Sequence, residues 1–256
     1  MVRGLYTAYT GMIQQQNRLD VVSNNLANAT TVGFKKEGST SQAFDEVLTI
    51  KIKDASTNYL DLPVGNMSLG VKVGETYTDY TQGSFKQTEN TFDVAIAGEG
   101  FFSISYTSKN GVESTMYTRD GSFTLTSDGY LVTKDGDYVL GQDGPINIPT
   151  EASVAIDEEG RIFADGEYVD SFAIADFEDY NYLAKFGESM YRAVDGATQK
   201  EPSNAKTYQG YLEMSNVNVV SEMVEMITIS RAYESNQKLI TSIDETLEKA
   251  VTLGQL

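Results

Sequence analysis

Two apolar rows with a seven-residue spacing, one near each end of the chain, restrict the fold more than any other feature. Near the start, Leu5, Met12, Leu19 and Leu26 recur every seven positions, and Tyr9, Ile13 and Val22 widen the row. Near the end, Val219, Met226, Tyr233, Ile240 and Leu247 repeat the spacing, with Ile229, Ile243 and Ala250 beside them. Such a row is one face of an amphipathic helix. The first helix should run roughly 24 residues, about 36 Å at 1.5 Å per residue, and the last about 35 residues. Asn216 or Asn218 can cap the last helix, Glu222 and Glu225 suit its positive N-terminal end, and Gly254 follows its final turn. A seven-residue row sustained over this length keeps one seam facing another helix, so the two terminal helices are each other's obvious partners.

Between them the period changes. From Asp93 to Tyr211 the chain is rich in Val, Ile, Phe, Tyr and Thr in short alternating runs such as "DVAIAGEGFFSIS" and "SFTLTSDGYLVT". Asp-Gly pairs at Asp120-Gly121, Asp128-Gly129, Asp135-Gly136, Asp143-Gly144 and Asp165-Gly166 supply the positive φ angles that tight hairpins need. This predicts an all-β middle. The stretch from Ala29 to Asn90 is the least regular, and a structureless segment of that length is unusual unless it packs along something. The expected fold class is α+β: long N- and C-terminal α-helices pairing as a coiled-coil-like stalk, with an all-β middle domain. The expected boundaries are a helix over 1–28, an extended connector with some strand pairing over 29–90, the β-domain over 91–211 and a helix over 212–256.

Charge follows the same division. The net charge is -18, and most of it falls in the middle: residues 91–205 hold 21 acidic and 7 basic side chains, whereas residues 1–28 hold two arginines and one aspartate. No basic run offsets this, so nucleic acid and anionic membrane surfaces are poor candidate partners. The sequence has no cysteine and no histidine. That removes disulfides, thiolate zinc sites, Ser-His and Cys-His nucleophiles and the usual neutral-pH general base. Only carboxylate chemistry remains, at Asp157, Glu158 and Glu159 and at Asp176, Glu178 and Asp179. In so acidic a chain these read as solvated turns and strand edges rather than a glycosidase pair. "GEGFFS", Gly98 to Ser103, lacks the third glycine and the following helix of a nucleotide loop, and reads as a turn where backbone passes closely. "DGDYVLGQDG" lacks the alternating ligands of a calcium loop. We therefore expect no catalytic residues, no cofactor, no metal and no small-molecule substrate. The first twenty residues contain no cleavable signal pattern, and no window is long and apolar enough to span a bilayer.

The N-terminal segment "LYTAYTGMIQQQNRLDVVSNNLANATTVGFKK" resembles the opening motif of the flagellar rod and hook family of axial proteins, through Leu5, Gly11, Gln15, Asp20, Ser23, Asn24, Asn25, Leu26, Ala27, Asn28, Gly33, Phe34 and Lys35. The segment "YQGYLEMSNVNVVSEMVEMITISRAYESNQKLITSIDETL" resembles its closing motif, through Gly210, Ser215 to Asn218, Glu222, Met223, Met226, Ile227, Arg231 to Tyr233 and Asn236. "DVAIAGEGFFSI" and "YTRDGSFTLTSDGYLVT" resemble its middle β-domain.

The resemblance implies a structural subunit of a helical tube, exported through the flagellar export apparatus without cleavage. Its partners would be copies of itself and other rod and hook proteins. The terminal helices would form the inner layer. One middle domain in this length looks most like the family's distal rod subunits, with the domain-bearing proximal rod or hook-type subunits as the alternative. A wall-binding or hydrolytic β-domain protein is a further alternative. The chain departs from the familiar pattern at "KKEGSTSQAFDEVLTIKI". The residues expected at subunit interfaces are Leu5, Tyr9, Met12, Leu19, Asn24, Asn25, Leu26, Asn28, Phe34, Val219, Met226, Tyr233, Asn236, Ile240, Ile243 and Leu247. Asn24 and Asn25 are expected to fix register between neighbouring copies, Asn28 and Gly33 to stop the first helix, and Phe34 to anchor the connector.

Overall fold

The computed structural model describes residues 2–51, 62–108, 111–150, 152–200 and 205–254. Terminal helices flank a β-rich middle, so the chain is α+β. It divides into two compact units: Met1–Leu26, Glu37–Thr78 and Val219–Leu256 form the first, and Ala27–Lys36 with Asp79–Asn218 the second.

The first unit contains helix α1, Val2–Ala27, and helix α2, Val219–Leu253. Gly4 and Gly11 cost α1 about 1 kcal/mol each relative to alanine, but both lie directly against α2. A Cβ on Gly4 would touch Ile243, and one on Gly11 would touch the Asn236 amide. Further along, Arg18 pairs with Glu225 at 2.8 Å. Positions rise on one helix as they fall on the other, so the helices are antiparallel. Asn28 closes α1: its carbonyl and side-chain oxygen accept from the N–H and hydroxyl of Thr31, and Gly33 follows with φ +69°. Two antiparallel ribbons complete this unit, Glu37–Ala43 with Val71–Thr78 and Val47–Lys51 with Leu62–Met67. The expected 29–90 connector thus holds paired strands.

The second unit is built from antiparallel pairs. Its nine-stranded sheet runs in the order Leu183–Phe186, Met190–Ala193, Glu113–Thr118, Phe101–Thr107, Tyr138–Val139, Leu131–Val132, Thr124–Leu125, and Ile174–Phe177 joins Phe101–Thr107 to Gln199–Lys200. A three-stranded meander, Val154–Ile156, Arg161–Ala164 and Glu167–Ser171, lies in the same unit. Alternation along Phe101–Thr107 sends Phe102 and Ile104 into a core with Val94, Ile96, Phe123, Ile146, Ile148, Ile162 and Phe172. Phe101 faces a second cluster with Tyr117, Phe177, Leu183 and Tyr191.

The Asp-Gly pairs divide by geometry. Asp165 and Gly166 both have positive φ and join two paired strands, as a type I′ turn requires. Gly129, Gly136 and Gly144 also take positive φ. Gly121 does not; a Cβ there would collide with the Val94 carbonyl, so this glycine serves close backbone approach. In "GEGFFS", Gly98 and Gly100 take positive φ in the turn between Val94–Ala97 and Phe101–Thr107.

Candidate assembly interface

The two units differ sharply in what they bury. Of the buried hydrophobic side chains, only Ala8, Val22 and Ile229 belong to the first unit, among the described residues. That same unit exposes Tyr6, Tyr9, Ile13, Phe44, Val47, Leu48, Met67, Val73 and Tyr77. On α2 it exposes Val219, Val220, Met223, Val224, Ile227, Tyr233, Leu239, Val251 and Leu253. An apolar surface this extensive, on elements with almost no core of their own, marks an interaction surface.

The contacts of α1 with α2 include the row Gly4, Gly11, Arg18 and Asn25, again seven apart but one residue ahead of Leu5, Met12, Leu19 and Leu26. Glycine and polar side chains thus take part in the contact, and the leucine row beside them is half-buried. On α2 the inward side is Glu222, Ile229, Asn236 and Ile243, with Met226, Ile240 and Leu247 half-buried. Tyr9, Asn24, Val219 and Tyr233 are exposed, and Asn28 is half-buried.

Asn25 and Phe34 are engaged inside the chain. Asn25 is fully buried. Its amide nitrogen donates to the Glu37 carbonyl at 2.8 Å and to Glu222 Oε2 at 3.2 Å, and its oxygen accepts the Glu37 N–H at 2.9 Å. Phe34 is fully buried in the second unit, with the Lys185 ammonium 4.2 Å from its ring centre.

Next to Phe34, Lys35 Nζ donates to Glu213 Oε1 at 2.6 Å and to the Thr81 carbonyl at 2.9 Å. Arg119 Nη1 reaches Glu213 Oε2 at 3.2 Å, and its Nη2 donates to the Gly98 carbonyl at 2.7 Å. All three side chains are buried, and the Gly83 N–H adds a further bond to Glu213 Oε1 at 2.9 Å. Burial pulls the Lys35 ammonium below the usual lysine range, opposed by the Glu213 carboxylate beside it. Asn216 finishes the clasp: its oxygen accepts the Lys36 N–H at 2.7 Å, while its nitrogen donates to the carbonyls of Asp79 and Thr81. The second unit thereby fastens residues 33–36, 79–83, 119 and 213–216 together. The motif residues carry this clasp, and the sequence held a signal for it in the lysine and glutamate of otherwise apolar surroundings, "VGFKK" and "YLEMSN".

Side chains that sequence reasoning left out of the interface are Tyr6, Val220, Met223, Val224 and Ile227. Their signal was present as rows with three- and four-residue spacing, Tyr6 with Tyr9 and Ile13 on α1 and Val220 to Ile227 on α2.

Four of the six carboxylates in the two acidic clusters are tied to basic partners. Arg161 bridges Asp157 at 2.8 Å and Glu159 at 3.0 Å, Lys206 holds Glu158 at 2.7 Å, and Lys200 holds Asp176 at 3.0 Å. The described residues hold no cluster of three or more acidic side chains able to grip a metal ion. No described helix is long and apolar enough to cross a membrane.

Comparison with known proteins gives matches at both ends and in the middle. Residues 5–35 match the family described as "Flagella basal body rod protein", residues 95–164 the "Flagellar hook protein FlgE/F/G D1 domain", and residues 208–253 the "Flagellar basal body rod FlgEFG protein C-terminal". The flagellar basal-body rod protein FlgG of Bacillus subtilis is 36% identical over 270 residues, covering 99% of each chain. FlgG of Buchnera aphidicola subsp. Acyrthosiphon pisum is 35% identical over 266 residues, covering 97% of this chain and 98% of the relative. The flagellar hook-basal body complex protein FlhO of Bacillus subtilis is 31% identical over 264 residues, covering 98% of this chain and 97% of the relative.

Proposed function

This chain belongs to the flagellar basal-body rod protein family and is a structural subunit of that rod, and on this premise we propose that it is a distal-type subunit whose copies polymerise into a helical tube. The tube carries torque to the hook and lets exported subunits pass through it. Rod subunits assemble with their own copies and with other rod and hook proteins.

The observation that carries the proposal is the imbalance in the first unit, which exposes apolar side chains along both helices and both ribbons while, among the described residues, its buried hydrophobic side chains are only Ala8, Val22 and Ile229. Packing copies side by side removes that surface from water at about 25 cal/mol per Å². A helical polymer needs a heterologous contact that does not close, and two different exposed helix faces supply one. In the polymer the terminal helices form a coiled-coil-like layer, with contacts between copies drawn from Tyr9, Asn24, Val219 and Tyr233 and from the half-buried rows beside them. The role is mechanical: no bond is made or broken, and no small molecule is needed. The tethering of the carboxylate clusters by Arg161, Lys200 and Lys206 supports that view. We place the subunit outside the cytoplasm, delivered uncleaved by the flagellar export apparatus.

Electron microscopy of basal bodies from cells lacking this chain tests the assignment. Rods should stop short and carry no hook, and the intact gene should restore both; full-length rods without the chain would overturn it. Mass spectrometry of the subunit from purified basal bodies should recover the first helical turns of α1 intact.

A further inference from the structure

We propose that the outward stripe of α2, Val220, Met223, Val224 and Ile227, docks antiparallel on the outward stripe of α1, Tyr6, Tyr9 and Ile13, of a second copy of this chain. The inference rests on the rod-subunit reading and adds the faces and their register. At 3.6 residues per turn the α2 stripe lies opposite the side that carries Glu222, Ile229, Asn236 and Ile243 toward α1. Likewise, Tyr6, Tyr9 and Ile13 lie opposite the Gly4, Gly11, Arg18 and Asn25 row. Neither outward stripe is therefore used by the contact within the chain. Both are exposed, Val220 at 71% and Tyr6 at 59%.

Polarity follows from symmetry. The two helices are antiparallel within one chain, and rotation about an axis running near their length preserves that relation between copies. Charge then selects the register. Arg3, Arg231 and Glu234 are exposed, and their side chains have no hydrogen-bond or ion-pair partner among the described residues. Setting Arg3 beside Glu234 places Tyr6 beside Arg231, Tyr9 beside Thr228 and its neighbour Ile227, and Ile13 beside Val224. That register packs Val224 and Ile227 against Ile13 and Tyr9, sets Val220 and Met223 beside Asn17 and Gln14, pairs opposite charges and puts a guanidinium against a tyrosine ring. Sliding the helices by one turn toward Tyr6·Ile227 overlaps the apolar stripes further but breaks both polar pairs and brings Arg3 toward Arg231.

The absence of cysteine makes the register directly measurable. Ile13→Cys with Val224→Cys, produced in cells lacking the native chain, should give a ladder of disulfide-linked multimers when purified basal bodies are oxidised, because the paired Cβ atoms fall within disulfide reach, about 3.5–4.5 Å. Tyr9→Cys with Val220→Cys, two turns out of register, should remain monomeric. Intact basal bodies containing the Ile13→Cys, Val224→Cys subunit without a ladder, or equal ladders from both pairs, would overturn the inference while leaving the rod assignment standing. Failure of the rod assignment would instead show as absence of the chain from basal bodies. As an independent arm, Arg3→Glu and Glu234→Arg should each reduce swimming and rod yield, and the combined variant should restore them. No recovery in the combined variant, with both single variants defective, would also count against this register.

Discussion

Asn25 is hydrogen-bonded to both main-chain groups of Glu37, accepting its N–H at 2.9 Å and donating to its carbonyl at 2.8 Å. The side-chain amide thus does for Glu37 what a neighbouring strand would do, at the first residue of the strand Glu37–Ala43. The same nitrogen also reaches Glu222 near the start of α2. One side chain therefore fixes the end of α1, the start of a ribbon and the first turn of α2.

Asn25→Ala should leave the N–H and carbonyl of Glu37 without this partner in a buried position. The expected loss is about 1–3 kcal/mol per unsatisfied group, read as a lower Tm and faster exchange of the Glu37 amide. Asn25→Asp should be no better at neutral pH, since it removes the donor and sets a second carboxylate beside Glu222.

Glu213→Gln should remove the carboxylate shared by the buried Lys35 and Arg119, leaving two cations to face each other. The cost of breaking such a buried set is about 3–5 kcal/mol. Glu158→Gln, which breaks an exposed bridge to Lys206, should cost about 1 kcal/mol or less. Urea unfolding of both variants gives the comparison, and equal midpoints would contradict the clasp.

Gly33→Ala should be far more harmful than Gly136→Ala. Both glycines have positive φ, +69° and +91°, so each substitution carries a conformational cost of about 1–2 kcal/mol. Only at Gly33 would the new Cβ also strike backbone, at Arg119 and Asp120, whereas nothing lies within 4 Å at Gly136. Thermal melts of the two variants separate the steric part from the conformational part.

Asp176 provides a pH-dependent term. Burial pushes its carboxyl pKa up, but hydrogen bonds from Tyr180 and Lys200 and the Phe177 N–H outweigh this and hold it below the ordinary value of 3.8. A carboxyl whose folded pKa is depressed stabilises the fold above its unfolded pKa and loses that contribution as pH falls through the folded one. The stability gap between the native chain and Asp176→Asn should therefore be constant near neutrality and shrink below about pH 4. Denaturation at pH 7, 4 and 2.5 checks it; a gap that widens in acid would reverse the sign.

The terminal helices were legible because a seven-residue row needs nothing from the rest of the chain to be recognised. The β-rich middle was legible for a similar reason, since Asp165-Gly166 turns the chain by its own φ preferences. Gly121 shows where this stops: as a dipeptide it is indistinguishable from its neighbours in the series, and only the Val94 carbonyl packed against it explains the glycine. Asn25 and Phe34 were singled out as contacts to neighbouring copies, yet their partners Glu37, Glu222 and Lys185 are all in the same chain, 12 to 197 positions away. Sequence spacing cannot distinguish a partner in the same chain from one in the next.

What the amino-acid order determined by itself is local: helices where apolar side chains recur with the helical period, hairpins where Asp-Gly supplies left-handed backbone, and an acidic middle without histidine or cysteine. What only the tertiary structure decided is which faces are used. The contact between α1 and α2 includes Gly4, Gly11, Arg18 and Asn25, one residue ahead of the half-buried leucine row, because glycine lets α2 approach and the polar side chains find partners there. That choice leaves Tyr6, Tyr9, Ile13 and the Val220–Ile227 stripe facing outward. Periodicity defines a helix face up to a rotation, and long-range packing alone sets the rotation.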